Sequence, residues 1–401
     1  MKRLLNFSAL LLFILFGILV PKNSKSQDNK KTFSENWYEK ISIRGYAQFR
    51  YNRLFETNDS LKCEQCDKSW GNGSFFIRRM RLVFYGNISD RIFLYIQPDF
   101  ATSTSGTILN FGQLRDAYFD FSFDKNKEYR LRIGQSKIPY GFENLQSSQN
   151  RLSLDRSDAL NSAISNERDL GAFFYWAPHK TRKLFNSLVN EGYKGSGDYG
   201  VLGVGVFNGQ TSNKSDLNKN LHVVSRISYP FSINGQTVEA SVQAYRGKYV
   251  LENKSEKTKV NNDLNYLDQR MAASFILYPK PLGLQAEYNI GKGPEFNKFT
   301  DSIETKELKG GYVLVNYFIK YKNQLIIPFI KYNYYKGGKK HELDARSYLV
   351  KELDIAAEWQ PVKNFELVVM YTMSERRFED YKMQNNLQKG NLMRIQAQFN
   401  F

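Results

Sequence analysis

The feature that most constrains the fold of this chain is an alternation of apolar and polar residues that recurs along most of its length. In the last such segment, Ile395 and Ala397 alternate with Arg394 and Gln396. This spacing predicts β-strands, because successive side chains of a strand point to opposite faces. Most segments have about ten residues or more, which suits tilted strands that cross a membrane. Sixteen segments start near residues 41, 75, 91, 111, 128, 168, 199, 220, 236, 267, 282, 307, 324, 349, 364 and 390.

The connections between these segments also alternate in length. After even-numbered strands they are mostly tight, as at 87–90 and 322–323, although 178–197 is a long exception. The connections after odd-numbered strands are usually longer and polar, and include 52–74, 138–167, 247–266 and 291–306. Short turns at one rim and long loops at the other are typical of outer-membrane barrels. An open sheet edge in lipid would leave backbone groups unpaired, at several kcal/mol each, so the sheet is expected to close.

The sequence therefore predicts an all-β fold, a sixteen-stranded antiparallel transmembrane β-barrel over residues 41–401, with short periplasmic turns and long extracellular loops. The mean hydropathy of −0.53 excludes a helical membrane protein. It is compatible with a barrel, in which alternation dilutes the apolar signal. Phe401 ends the chain in phase with the apolar face, which also favours a barrel over a soluble all-β protein.

The N-terminal residues have the pattern of an export signal. Lys2 and Arg3 precede a short apolar stretch at 10–20, and Ser24-Lys25-Ser26 offers the small-x-small pattern for cleavage before Gln27. We predict a signal peptide at 1–26, a short periplasmic segment at 27–40 and the barrel at 41–401. The predicted location is the outer membrane of a Gram-negative cell, in contact with its lipid.

Two cysteines, Cys63 and Cys66, lie in a predicted long loop with a C-x-x-C spacing. A zinc site needs about four ligands, and none of the three histidines lies nearby. A redox pair would need a surrounding βαβ pattern, which is absent from the sequence. The remaining readings are a structural disulfide or two simple loop cysteines in an oxidising compartment. We predict neither a metal site nor a cofactor.

The polar phase of the predicted strands carries many charges, which would line a water-filled lumen. Its basic members are Arg44, Arg50, Arg79, Arg81, Arg130, Arg132, Arg226, Arg270 and Arg394. Its acidic members are Asp99, Asp116, Asp120, Glu239, Glu287, Glu352, Asp354 and Glu358. Rows of arginine indicate a preference for anions, because the guanidinium binds phosphate or carboxylate through two hydrogen bonds. Acidic side chains opposite basic ones indicate instead a weakly selective pore. Both interpretations, anion preference and weak selectivity, therefore stay open.

Several short stretches are similar to those of the phosphate-selective porin O/P family. They are SIRGYAQ at 42–48, IRRMRL at 77–82, LRDAYFD at 114–120, RIGQSKIPYG at 132–141, DRS at 155–157 and ERDLG at 167–171. The resemblance covers roughly residues 41–175; beyond them only the strand spacing and the terminal Phe401 match. It implies a homotrimeric sixteen-stranded porin in which the loop between the fifth and sixth strands folds into the lumen and narrows it.

The resemblance also implies candidate anion contacts. By motif position these are Arg79, Arg81, Arg132, Lys137, Arg156 and Arg168, and the same loop carries Arg151. The chain departs from the family pattern because acids such as Asp155, Asp158 and Glu167 lie beside these arginines, and no dense lysine ladder is evident. Phosphate as the solute is implied by the resemblance alone.

The leading functional hypothesis is passive diffusion of small, phosphate-like anions through the barrel. The alternatives are a weakly selective general porin and a barrel that binds or adheres without a pore. An enzyme is not expected, since none of His179, His222 and His341 lies near a serine-rich nucleophile motif. A formal charge of +17 could attract nucleic acid, but export of the chain argues against nucleic acid as its partner.

Overall fold

The computed structural model describes residues 36–55, 74–102 and 110–401. Within them, the alternating segments form one antiparallel sheet that closes on itself as a sixteen-stranded barrel. The first strand pairs with the last, from Tyr46 opposite Asn400 to Leu54 opposite Leu392. The backbone groups at the seam therefore have hydrogen-bond partners, as a strand in lipid requires. The predicted signal peptide and most of the predicted segment 27–40 lie outside the described residues.

The strands follow the chain in order. The first eight are β1 (Ser42–Leu54), β2 (Ser74–Asn87), β3 (Ile92–Thr102), β4 (Asn110–Ser122), β5 (Tyr129–Lys137), β6 (Arg168–Trp176), β7 (Leu202–Phe207) and β8 (His222–Ile233). The remainder are β9 (Gln236–Val250), β10 (Asn265–Leu277), β11 (Leu282–Asn297), β12 (Ser302–Tyr317 and Ile319–Tyr321), β13 (Gln324–Gly338), β14 (Ser347–Val362), β15 (Phe365–Glu379) and β16 (Asn386–Asn400). The two segments of β12 pair with β13 on either side of Phe318 and act as one strand.

The predicted strand starts agree with the structure to within five residues, but one predicted loop is wrong. Residues 291–306 are not a loop, because β11 and β12 continue pairing from Gly291 opposite Leu308 to Asn297 opposite Ser302. Gly291, Gly293 and Pro294 interrupt the apolar alternation there, whereas the backbone ladder does not depend on side-chain polarity. Only residues 298–301 form the turn.

Helices in the described part of the chain lie before the first strand or in the connections between strands. They are α1 (Phe142–Leu145), α2 (Asp158–Asn161), α3 (His179–Asn190), and 3-10 turns at Trp37–Lys40, Ser165–Glu167 and Leu343–Ala345. None of the helices that the structure describes has the length and apolarity needed to cross a membrane. The long connection predicted at 178–197 contains α3. Cys63 and Cys66 lie outside the described residues.

The alternating apolar and polar residues of each strand lie on opposite faces of the barrel wall, as β8 illustrates. Val223, Ile227 and Tyr229 are exposed on the outer face, while Arg226 and Ser228 between them are buried on the inner face. Apolar side chains therefore meet lipid, and polar ones are withheld from it. An arginine on the lipid face would cost about 2–4 kcal/mol at mid-membrane.

The barrel interior contains apolar side chains as well as polar ones. The connection between β5 and β6, residues 138–167, contributes Tyr140, Leu160 and Ile164 to a buried apolar cluster. Side chains of the inner wall, among them Phe329 and Met370, complete that cluster. Apolar residues therefore occupy both faces of several later strands, because a segment of the chain lies inside the barrel and shields them from water.

A close contact at the strand seam generates a prediction about Gly45. A Cβ on Gly45 would lie 2.5 Å from the Phe401 ring and 2.6 Å from the Arg81 carbonyl oxygen. Gly45 also exchanges two backbone hydrogen bonds with Phe401, of 2.7 and 3.0 Å. We expect Gly45→Ala to destabilise the folded barrel by about 1–3 kcal/mol, because a side chain is forced into a packed site.

The measurement is urea unfolding of the refolded protein in detergent micelles. Gly112→Ala is the matched control, since its Cβ would meet only the Phe100 ring edge at 3.1 Å, which can move. Equal unfolding midpoints for the two variants would contradict the prediction.

Candidate pore interior

The segment that enters the barrel, residues 138–167, is called the inner loop here. It leaves β5 at Ile138 and turns at Gly141, whose φ of 81° lies in the left-handed region that favours glycine. The backbone N–H groups of Phe142 and Glu143 then donate to the Glu287 carboxylate of β11, at 2.6 and 2.7 Å. The first turn of the inner loop is therefore fixed to the wall opposite β5.

Asp155 fixes the middle of the inner loop to the strand seam. Its carboxylate pairs with Arg50 of β1 at 2.8 Å, Arg394 of β16 at 2.9 Å and Arg78 of β2 at 3.3 Å. Burial alone would raise the pKa of Asp155, but these three guanidinium groups hold it well below its ordinary value. A single carboxylate is thus shared by three cations, of which Arg50 and Arg394 are buried and Arg78 is half-buried.

The far side of the inner loop is held by further ion pairs. Asp158 pairs with Arg376 of β15 at 2.8 Å and with Lys339 at 2.6 Å. Lys331 of β13 donates a hydrogen bond to Glu143. Burial would raise the pKa of Asp158, yet Arg376 and Lys339 lower it below its ordinary value. The inner loop is therefore tied by charge to strands around most of the barrel.

Glu167 joins the end of the inner loop to the basic residues around it. Its carboxylate lies 2.7 Å from Arg156, 2.8 Å from Arg168 and 3.5 Å from Arg115. Against the effect of burial, these arginines hold the pKa of Glu167 well below its ordinary value. Arg168 also bonds Asp116 of β4 at 2.9 Å. Arg156 and Arg168, both predicted anion contacts, are therefore already bound to carboxylates.

Arg81 of β2 and Arg132 of β5 are paired in the same way. Arg132 binds Asp120 through two hydrogen bonds of 2.7 and 2.9 Å, and its guanidinium lies 3.9 Å from the centre of the Tyr118 ring. Arg81 pairs with Asp99 at 2.9 Å. Arg81 also donates to the Tyr46 hydroxyl at 2.8 Å, so its guanidinium is held by the wall as well as by the carboxylate.

Three buried cations among the predicted site residues differ, since they form no ion pair with any described carboxylate. Arg79 donates to Gln48 at 3.1 Å, and Arg151 donates to the carbonyl oxygens of Ser153 and Leu154. Lys137 donates to the carbonyl oxygens of Leu145 and Gln146 at 2.8 and 2.6 Å. Their hydrogen bonds go to neutral acceptors, so no carboxylate is bound directly to these three cations.

A cavity of about 630 Å³ lies between the inner loop, the inner wall of β2–β5 and α3. We call it the inner cavity. Its basic lining residues are Arg44, Lys127, Arg130, Arg132, Lys137, Arg168 and Arg182. Its acidic lining residues are Asp116, Asp120 and Asp198. Tyr95 and Tyr118 stack beside them with ring centres 5.1 Å apart. Seven basic against three acidic side chains give the inner cavity an excess of positive charge.

The predicted pore-lining residues are all inside the barrel or at its mouth. Ten are buried: Arg50, Arg79, Arg81, Arg130, Arg132, Lys137, Arg151, Arg156, Arg168 and Arg394. Arg44 is half-buried near the short-turn rim. The inner cavity gathers Arg44, Arg130, Arg132, Lys137 and Arg168, whereas Arg50 and Arg394 lie apart from it on Asp155.

Arg376 is an interior arginine that the sequence analysis missed, and two others, Arg78 and Arg115, were missed because β-bulges break the alternation. The register of β3 with β4 shifts between Gln97 and Pro98, which leaves Arg115 as an extra residue beside Asp116. Both side chains are buried, although strict alternation would send one of them outward. A shift at Gln48 and Phe49 likewise leaves Arg78 extra, and it reaches Asp155. The paired charges Arg78-Arg79 and Arg115-Asp116 were the available signal.

A closed sixteen-stranded barrel with a charged interior is the architecture of outer-membrane porins. The sequence pattern described as phosphate-selective porin O and P matches residues 57–401, and the chain belongs to that family. No curated protein sequence matches the chain.

Solved porins share the fold. OmpF of Salmonella typhi in complex with daunomycin is 13% identical, with a TM-score of 0.57 over 91% of this chain and 99% of that one. The outer membrane channel DcaP of Acinetobacter baumannii is also 13% identical, with a TM-score of 0.54 over 90% and 97% of the two chains. An anion-selective porin from Comamonas acidovorans is 9% identical, with a TM-score of 0.50 over 90% and 99%. At these identities the similarity establishes the fold alone.

The three ion pairs of Asp155 generate a prediction. Asp155→Asn should lower the free energy of unfolding by about 3–5 kcal/mol, because removing one partner leaves buried charges uncompensated. The same variant should raise the ratio of anion to cation permeability, since the interior gains positive charge. Urea unfolding and reversal potentials in a salt gradient measure the two effects. Asp216→Asn, at an exposed loop position, is the control; a permeability ratio equal to that of this control would contradict the prediction.

The lowered pKa values of Asp155, Asp158 and Glu167 generate a prediction about pH. The stability that these carboxylates contribute is fully present above the ordinary carboxyl pKa of about 4, and it is lost only as pH falls through the lowered values. Single-channel conductance recorded from pH 8 to pH 4 should therefore show no step that signals release of the inner loop. A reversible step between pH 6 and pH 4 would contradict this assignment.

Proposed function

We propose that the chain forms a pore for passive diffusion of small anions, phosphate-like in size and charge. The observation that carries the proposal is the excess of basic over acidic side chains around the inner cavity. A water-filled passage with low-dielectric walls focuses such a field and raises the local concentration of anions. No chemical step is needed, because the concentration gradient drives the flux.

The chemistry of the lining supports phosphate and similar oxyanions. Arg132 and Arg168 can offer planar pairs of N–H donors, and Lys137 adds a compact positive charge. All three line the inner cavity. The acids Asp116 and Asp120 share the donors of these arginines at 2.7–2.9 Å. Competition of that kind keeps anion binding weak enough for release, which conduction requires.

The same ion pairs favour a second candidate, a weakly selective general porin. Arg81, Arg132 and Arg168 each lie within 3 Å of a carboxylate, so much of their field is local. In that case the uncompensated cations Arg79, Lys137 and Arg151 would contribute only a slight anion preference. The measured ratio of anion to cation permeability separates the two candidates.

The remaining features of the proposal follow from the class of protein. The rim with the short turns, at which β1 begins and β16 ends, would face the periplasm. The longer loops would face outward. The inner loop would form the constriction. Residues 1–26 would be removed on export, and three copies would assemble in the outer membrane.

The test is planar-bilayer recording of the purified protein in a potassium chloride gradient. The reversal potential should report chloride as the more permeant ion, and millimolar phosphate should reduce the chloride current. Lys137→Gln with Arg168→Gln should lower the ratio of anion to cation permeability, because two positive charges leave the inner cavity.

Lys320→Gln with Lys322→Gln is the control that removes the same charge from exposed positions at the short-turn rim. A reversal potential showing potassium as the more permeant ion would reject the anion pore. A pore without phosphate block would reject phosphate as the class of solute.

A further inference from the structure

The outer wall has a groove of about 800 Å³ across β8–β13, on the side of the longer loops. Its lining includes the exposed residues Arg246, Met271, Ile290, Lys292, Lys309 and Lys336. We call it the outer groove. It combines apolar side chains, which suit lipid, with four basic side chains, which a lipid-facing wall normally excludes.

Cross-strand pairing brings the basic residues together. Lys309 of β12 lies directly opposite Ile290 on one side and directly opposite Lys336 on the other. Like charges directly opposite in a sheet are destabilising, unless an anion lies between them. The next row of cross-strand partners lies nearer the longer loops. In it, Gln269 of β10 is opposite Lys292 of β11 on one side and opposite Arg246 of β9 on the other. The two rows form one patch of four positive charges.

The acids near this patch are too few to neutralise it. Glu307 is the acidic member of the lining and lies opposite Lys292. Glu295 lies within electrostatic range of Lys336, but its carboxylate accepts a hydrogen bond from Ser347 at 2.6 Å. None of Arg246, Lys292, Lys309 and Lys336 forms an ion pair with a carboxylate in the part of the chain that the structure describes.

Toward mid-membrane, a second cleft of about 430 Å³ adjoins the outer groove. It is lined mainly by apolar and aromatic side chains, among them Phe275, Tyr288, Val313 and Tyr332. Gly311 forms the floor of this cleft. A Cβ at Gly311 would lie 2.0 Å from the Glu287 carbonyl oxygen, so this position cannot place a side chain in the cleft. A hydrocarbon chain would find apolar contact there directly below the basic patch.

We propose that the outer groove binds a phosphorylated lipid of the outer leaflet, of the lipid A class. Its phosphate would lie between Lys309 and Lys336, with Lys292 and Arg246 above, and an acyl chain would lie in the apolar cleft. Long lysine stems can follow the wall while their ammonium groups reach phosphate at the membrane surface. A second copy of this chain, with its excess of basic over acidic residues, complements the patch less well. The inference rests on the proposed orientation, with the longer loops outward.

The experiment is native mass spectrometry of the purified full chain in detergent, titrated with bisphosphorylated lipid A or with enzymatically dephosphorylated lipid A. The wild-type protein should retain the bisphosphorylated form and lose the dephosphorylated form. Lys309→Gln with Lys336→Gln should weaken retention about tenfold or more, because each basic side chain at a membrane surface contributes appreciably to anionic lipid binding. Lys320→Gln with Lys322→Gln, at the opposite rim, should leave retention unchanged.

Equal retention of the two lipid forms would overturn the proposal, and this comparison needs no variant that might fold poorly. Equal retention by the two double variants would overturn it as well. So would an interface between copies of the chain, detected as cysteine cross-links from Met271→Cys or Ile290→Cys. Conductance of the same preparations is recorded separately: loss of lipid retention with normal conductance rejects this inference alone, whereas a non-conducting wild-type protein rejects the proposed function.

Discussion

Every other feature of this structure depends on the requirement that backbone N–H and C=O groups in lipid find partners within the protein. The closing pair between β1 and β16 satisfies it, and the backbone exchange between Gly45 and Phe401 completes the seam at one rim. Closure then defines an inside and an outside. Each strand must send apolar side chains outward, so polar and charged side chains accumulate inside, where they need either water or one another.

The inner loop decides how those interior charges are distributed. It brings Asp155, Asp158 and Glu167 to Arg50, Arg376 and Arg115, which come from strands far apart in the sequence. The result is an interior of coupled ion pairs instead of a continuous basic ladder. Positive charge remains in excess where the loop supplies carbonyl oxygens in place of carboxylates, as at Lys137 and Arg151. The proposed anion preference therefore depends on an incomplete balance of charge, which the fold adjusts locally.

The strands were predictable because alternation is a local property that each segment carries in itself. The inner position of Arg132 and Arg394 followed from phase alone. Arg78 and Arg115 were missed because a bulge is set by the pairing of two strands, and one strand's sequence does not encode it. The apolar inner-wall residues Phe329 and Met370 were equally ambiguous, since they face inward only because the inner loop covers them. The hairpin at 291–306 was misread where glycine and proline obscured a continuous ladder.

The sequence by itself determined the membrane barrel, its number of strands and the inner placement of most of its arginines, because hydrophobic periodicity and loop length act locally. The tertiary structure decided which charges neutralise each other. Asp155 lies more than 100 positions from Arg50 and more than 200 from Arg394, yet it binds both. Tertiary structure also decided that Lys309 faces Lys336 on the outer wall, since strand register alone brings them together. Coulomb interactions depend on distance in space, which a one-dimensional pattern of charges does not contain.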